Sequence, residues 1–234
     1  QKGLLSSARN AISNNTSYRI GIAGSYGKTS AKEIISTVLS EGKSVEATPG
    51  NINTLIGISR FLMKLKTNPD VIVFELGEEK VGDITKLCDL VRPNTGVITG
   101  INEAHLSSFG SLENTIATIF EIQDYLGKNI LYKNKDSKLV FENSDNLDPF
   151  LFSQYGVNNW KVKDIEVSIN GTTFEVTNGK KIIKAQTKLL GRHLIGVICV
   201  AIDIADRLGL SVKQIEKGIS KTLPFEHRMK PHKL

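Results

Sequence analysis

Gly24, Ser25, Gly27, Lys28, Thr29 and Ser30 fall within the decapeptide GIAGSYGKTS, residues 21–30. An apolar run precedes it and an apolar-periodic run follows. A glycine-rich turn between a strand and a helix exposes backbone N–H groups, the helix start adds positive potential, and Lys28 adds a point charge. These are the parts of a cradle for nucleotide phosphates, as against a plain glycine turn. The spacing Gly24-x-x-Gly27-Lys28-Thr29 is shorter than the general G-x-x-x-x-G-K-[ST] pattern, and Gly21 lies one residue too far upstream to repair it. The strand–turn–helix context carries the reading instead. The hydroxyl of Thr29, with Ser30 second, suits Mg²⁺.

Other chemistry-bearing residues sit just past apolar runs. Glu75 ends VIVFE, and a carboxylate at the carboxyl end of a parallel strand faces the ligand crevice. There it can hold Mg²⁺, directly or through water; a solvent-facing Glu is the alternative. His105, in INEAHLSSFG, is the best-placed histidine for a second magnesium or for acyl-phosphate oxygens, against a structural hydrogen bond. Asn102 and Glu103 are weaker candidates. Asn51 and Asn53, in TPGNIN, suit a phosphate or a metal-bound water, or simply a turn. No serine or cysteine has a paired base nearby, which points to chemistry at phosphate. Hydrolysis, kinase transfer and acyl-phosphate formation all remain open on these grounds.

The elements that must position these residues alternate. Residues 1–18 read as a short helix and a polar joint. Strand signals at 19–23, 71–74 and 96–99 alternate with helical patterns at 29–39, 56–65, 84–91 and 112–126, with Pro93 stopping the third. This predicts an α/β fold with a mostly parallel sheet flanked by helices. Residues 130–132 and 138–141 are expected to close the sheet. Residues 160–190 are strand-rich, with Asn170-Gly171 and Asn178-Gly179 as hairpin turns, and read as a small antiparallel β satellite. Helical periodicity returns at 193–208, and Ser211 caps a last helix to about residue 219.

Composition agrees with a folded, water-soluble chain. Of 234 residues, 40% are hydrophobic and 23% charged, and no apolar run is long enough to cross a bilayer. No basic and then apolar leader marks export. Cys88 and Cys199 lie in apolar helical patterns and read as reduced core residues of a cytoplasmic protein. The net charge of +6 suits anionic ligands, but the lysines are scattered, so nucleic acid is not the expected partner.

Taken together the motifs resemble the central ATPase domain of the Mur ligase family. The matching segments are GSYGKTSAKE (24–33), TPGNINTLIG (48–57), VFELG (73–77), GDITKLCDLVRP (82–93), TGINEAHLSSFGSLENT (99–115), LLGRH (189–193) and, more weakly, FEHRMKP (225–231). In this family the shortened glycine loop is normal. The likeness is greatest to the branch that adds D-alanyl-D-alanine to a UDP-linked muramyl tripeptide. The resemblance implies a P-loop-like core over 19–222, with the satellite at about 158–190 included, a helical remnant at 1–18, and a linker at 223–234 toward a further domain. It implies ATP and Mg²⁺, a UDP-linked muramyl peptide and a dipeptide acceptor as partners, and a monomer with no membrane insertion. The γ-phosphate would pass to a carboxylate, and an amine would then attack the acyl phosphate.

By the same resemblance Lys28 binds the β- and γ-phosphates, Thr29 and Glu75 hold one Mg²⁺, and His105 serves the second. Asn51 and Asn53 adjoin the γ-phosphate, His193 approaches the nucleotide, and Arg228 lies near an interdomain linker. Three departures stand out. Ile119 takes the place of the family's metal-bridging lysine, and Ala117 that of a residue often basic. The pattern G-x-H-N-x-x-N reads Gly191-Arg192-His193-Leu194-Ile195-Gly196-Val197, without its asparagines. The resemblance covers only the family's middle portion, so the isolated chain is expected not to ligate. Other family ligases, acting on folate or a poly-amino-acid, are the alternative; a degenerate nucleotide-binding scaffold is another.

Overall fold

The computed structural model describes residues 2–65, 68–103 and 109–224. They group into two compact units. The first takes residues up to Lys32 and Lys43–Asn146; the second takes Glu33–Gly42 and residues from Leu147 onward.

The first unit contains α1 (Lys2–Ser13), β1 (Tyr18–Ala23), the start of α2 (Lys28–Leu39), β2 (Val45–Ala47), α3 (Leu55–Lys64), β3 (Val71–Glu75), α4 (Asp83–Val91), β4 (Thr95–Ile98), α5 (Leu112–Leu126), β5 (Ile130–Asn134) and α6 (Lys138–Glu142). Its strands lie in the order β2-β3-β1-β4-β5, and every neighbouring pair is parallel. All residues of β3 and β4 are buried, as expected of strands covered on both faces. The α/β expectation is borne out.

The chain leaves β1 toward β2 on one side and leaves β3 toward β4 on the other. Adjacent strands whose connections diverge in this way open a crevice at their carboxyl ends. Ile22 pairs with Glu75 and Ala23 with Ile98, so Gly24, Glu75 and Thr99 all lie at that one end of the sheet. The core beneath includes Ile72, Phe74, Ile98, Ile119 and Ile122, and Phe61 meets Phe74 edge to face with ring centroids 6.2 Å apart.

The helix starts and stops have local causes. Thr54 and Ser111 cap α3 and α5 by accepting from the amides of Gly57 and Asn114. Helix α4 ends at Arg92, which takes a left-handed conformation (φ 51°) just before Pro93. One expectation fails here: residues 138–141 form α6, not a strand. Asp136 and Ser137 turn the chain, and the Phe141 amide bonds back to Ser137 O at 2.9 Å. Three apolar residues, Leu139, Val140 and Phe141, carry no periodicity long enough to tell the two apart.

The second unit contains the remainder of α2, β6 (Leu151–Phe152), β7 (Gly156–Val157), β8 (Trp160–Ser168), β9 (Gly171–Thr177), β10 (Ile182–Thr187), a 3₁₀ turn (Arg192–Leu194), α7 (Ile195–Arg207) and α8 (Val212–Ser220). Strands β10-β9-β8-β7 form the expected antiparallel sheet. Its turns differ from expectation. Ser168 pairs with Gly171, so Ile169-Asn170 makes the first turn. Gly171 (φ +133°) instead opens β9, where a Cβ would lie 2.0 Å from Thr187 O. The second connection spans residues 178–181, and Asn178 Oδ1 accepts from the amides of Lys180 and Lys181. Ser211 and Gln214 form a reciprocal capping box at the start of α8. Cys88 and Cys199 are both buried and unpaired, as expected.

Candidate functional site

The 24–27 turn is clamped from the β4 side. The Ser25 amide donates to Gly100 O at 2.7 Å, and the Thr99 hydroxyl donates to Tyr26 O at 2.6 Å. Gly24 has φ +138°, and a Cβ on it would lie 2.4 Å from Thr99 Oγ1 and 2.9 Å from Gly100 O. Only glycine fits this close approach. Gly27 (φ +82°) then turns the chain into α2, whose first backbone bond runs from Ala31 N–H to Gly27 O. The first turn carries no acidic residue. Such a start directs its early N–H groups and the positive end of the helix dipole at the turn.

Lys28 and Lys32 are one helical turn apart, and each faces a carboxylate. Lys28 Nζ donates to Gly24 O and lies 3.0 and 3.2 Å from the two oxygens of Glu78. The Lys28 side chain is 12% exposed and that of Glu78 only 2%. Lys32 is fully buried. Its Nζ donates to Thr48 O at 2.7 Å and to Gly50 O, and lies 3.7 Å from Glu75 Oε2. Lys32 thereby ties α2 to the loop before α3 and to the end of β3.

Glu75 is held on three sides. Its amide donates to Thr48 Oγ1 at 3.1 Å, and its Oε1 accepts from Asn53 Nδ2 at 3.2 Å. Gly77 N–H donates to Asn53 O at 2.9 Å, which fixes that asparagine against the strand end. A cavity of about 390 Å³ opens here, lined by Lys28, Asn53, Thr54, Gly77, Glu78 and Lys86 among others.

Three buried side-chain atoms among the described residues lack a hydrogen-bond partner: Ser25 Oγ, Ser36 Oγ and Glu75 Oε2. Two of the three belong to this cluster. Buried polar atoms are almost always satisfied, so such an orphan calls for an explanation, of which an ion or ligand is one. A hydroxyl suits a phosphate oxygen and a hard carboxylate oxygen suits Mg²⁺, so the residues present fit both groups.

The first unit thus brings Gly24, Ser25, Gly27, Lys28, Thr29, Ser30, Asn53 and Glu75 to one end of the sheet, with Thr29 and Ser30 half-buried at the start of α2 and Asn51 exposed on its loop. His193 belongs to the second unit, exposed on the 3₁₀ turn. His105 and Arg228 lie outside the described residues. Ile119 is completely buried in the first unit's core, so an apolar contact occupies that position.

Sequence reasoning passed over Lys32, Thr48, Glu78 and Thr99. Lys32 had a signal: four residues after Lys28, it must share a helix face with it. Glu78 and Thr99 gave none, because their roles depend on neighbours distant in sequence.

Residues 22–205 match the Mur ligase middle domain. The UDP-N-acetylmuramoyl-tripeptide–D-alanyl-D-alanine ligase of Borreliella burgdorferi is 30% identical over 231 residues, covering 94% of this chain and 48% of that protein. The crystal structure of MurF from Acinetobacter baumannii superposes with a TM-score of 0.84 at 23% identity, covering 98% of this chain and 51% of that one. MurF ligase from Thermotoga maritima in complex with ADP gives a TM-score of 0.77 at 25% identity, covering 95% and 53%. The chain spans about half the length of the curated relatives it matches. With that match across most of its length, and with the glycine turn, Lys28 and Glu75 gathered at one end of a parallel sheet, the chain belongs to the Mur ligase family.

Proposed function

We propose that the chain forms the nucleotide-binding part of an ATP-dependent amide ligase of peptidoglycan precursor synthesis, adding D-alanyl-D-alanine to a UDP-linked muramyl peptide. The observation that carries the nucleotide reading is the pair of unsatisfied buried atoms, Ser25 Oγ and Glu75 Oε2, in the cluster around Lys28. The D-alanyl-D-alanine assignment is supported by the likeness to the D-alanyl-D-alanine ligase of Borreliella burgdorferi.

In this reading the 24–27 turn and the first turn of α2 bind the phosphates through backbone amides, and Lys28 orients the terminal ones. Thr29 and Glu75 hold Mg²⁺, which when bound supplies positive charge to the phosphate oxygens. Asn53 and Lys32 keep the Glu75 carboxylate in one orientation. The γ-phosphoryl group passes to a substrate carboxylate oxygen as ADP leaves. The amine nitrogen then attacks the acyl carbon, and inorganic phosphate departs. The proposed chemistry rests on charge and positioning, which suits a cluster of two lysines and two buried carboxylates. His105 on the second metal ion, Asn51 beside the γ-phosphate, His193 toward the nucleotide and Arg228 at a linker complete the proposed set.

A second reading, a nucleotide-binding scaffold without ligation, is favoured by one observation, the buried Ile119 at the position of the family's metal-bridging lysine. Calorimetry with Mg²⁺ and a non-hydrolysable ATP analogue tests the nucleotide site common to both. Saturable binding is expected, weakened roughly 10- to 100-fold by Lys28→Met, the worth of a hydrogen bond to a charged group. No binding at millimolar nucleotide, or equal binding by the variant, would overturn it. Phosphate release that depends on both the UDP-linked peptide and the dipeptide would favour the ligase over the scaffold.

A further inference from the structure

The chain itself engages the Lys28 ammonium in full. Gly24 O and both carboxylate oxygens of Glu78 match the donor capacity of that group. Glu78 is three residues past Glu75, and its side chain is 2% exposed. Its neighbour Glu79 is exposed, so the chain buries one particular carboxylate of this pair.

A buried carboxylate beside a phosphate-binding ammonium acts against anions. A polyphosphate that takes Lys28 must either displace Glu78 or lie against it. Both arrangements set negative charge beside negative charge where water screens little, and repulsion there is strong. A divalent cation on the phosphates cancels the repulsion, because the carboxylate then faces a ligand of lower net charge. Discrimination by a repulsive element is an established route to specificity.

Resting on the nucleotide reading above, we propose that Glu78 is a specificity-determining residue that makes this site select metal-bound over metal-free polyphosphate. The role requires no bond between Glu78 and the metal. It requires only that the carboxylate stay within reach of whatever anion Lys28 holds.

The test is calorimetry of ADP binding to the 234-residue chain, with Mg²⁺ and with chelator, for the unsubstituted protein, Glu78→Gln and Glu78→Ala. The quantity read is the ratio of metal-free to metal-bound Kd. Both substitutions should shrink that ratio roughly tenfold or more, chiefly by tightening metal-free ADP. A ratio unchanged within about twofold, or weaker metal-free binding, would overturn the proposal. If circular dichroism shows one variant unfolded, the other decides; loss of the fold in both would make Glu78 a structural counter-ion and overturn it too. Failure of Mg-ADP to bind any of the three proteins would instead overturn the nucleotide reading itself.

Discussion

Two lysines one turn apart divide the labour at the candidate site. Lys28 sits at its margin with a small exposed fraction, whereas Lys32 is wholly enclosed and bonded to two loop carbonyls. Burying an ammonium costs several kcal/mol unless it is paired and hydrogen-bonded. Removing one member of such an arrangement exposes that cost. Lys32→Met should therefore lower the unfolding free energy by about 3–5 kcal/mol in urea titration, because Glu75, Thr48 O and Gly50 O lose a shared partner. An unchanged denaturation midpoint would show that the buried contacts count for little. That Lys28 and Glu75 lie at one end of the sheet was legible from type and position alone. Lys32 was legible in principle from its helical spacing. Glu78 was not, since nothing in ELGEEK marks which glutamate turns inward.

At the level of elements, the 24–27 turn is specified by close approach more than by sequence pattern. Its spacing fails the general phosphate-loop rule, yet Thr99 and Gly100 fix its path. Gly24→Ala would drive a methyl group to 2.4 Å from Thr99 Oγ1. We expect it to destabilise the fold by roughly 1–3 kcal/mol, read as a lowered Tm, and to abolish nucleotide binding by displacing the turn. Retained binding would show that the turn adapts. Elements with long periodicity, a clear cap or a nearby proline were legible: α5 spans Leu112–Leu126 as read, and Ser211 caps α8. The failures were short. Residues 138–141 gave too few positions to separate helix from strand. The Asn-Gly signals located the hairpins but shifted their turns, because Gly171 is there to let two backbones meet. The three-residue β2 left no pattern to read.

At the scale of the whole molecule, the parallel and antiparallel sheets followed from where alternation of strand and helix stops. Their grouping into two units, with α2 divided between them, depends on tertiary contacts that no local pattern encodes. No helix among the described residues is long and apolar enough to cross a membrane. In the second unit the end of α2 is joined to α8 by Glu41, which accepts from Lys221 and lies 2.9 Å from Lys217. Hydrogen bonds from Lys221 and then Lys217 hold its carboxyl below the usual range. The contribution is therefore complete above the ordinary carboxylate pKa of about 4.3 and vanishes as pH falls through the depressed folded value. Because the lysines are exposed, Glu41→Gln should cost no more than about 1 kcal/mol at neutral pH. The difference in Tm between the two proteins should close as pH falls through that depressed folded value. A gap that persists in acid would assign the effect to packing.

The central claim is that the 24–29 backbone converges on phosphate. Amide chemical shifts of the isotopically labelled chain, followed while Mg-ADP is added, test it most directly. Saturating shifts are expected to be largest at Ser25, Gly27, Lys28 and Thr29, and to be lost in Lys28→Met. Shifts centred elsewhere, or none at millimolar nucleotide, would contradict it.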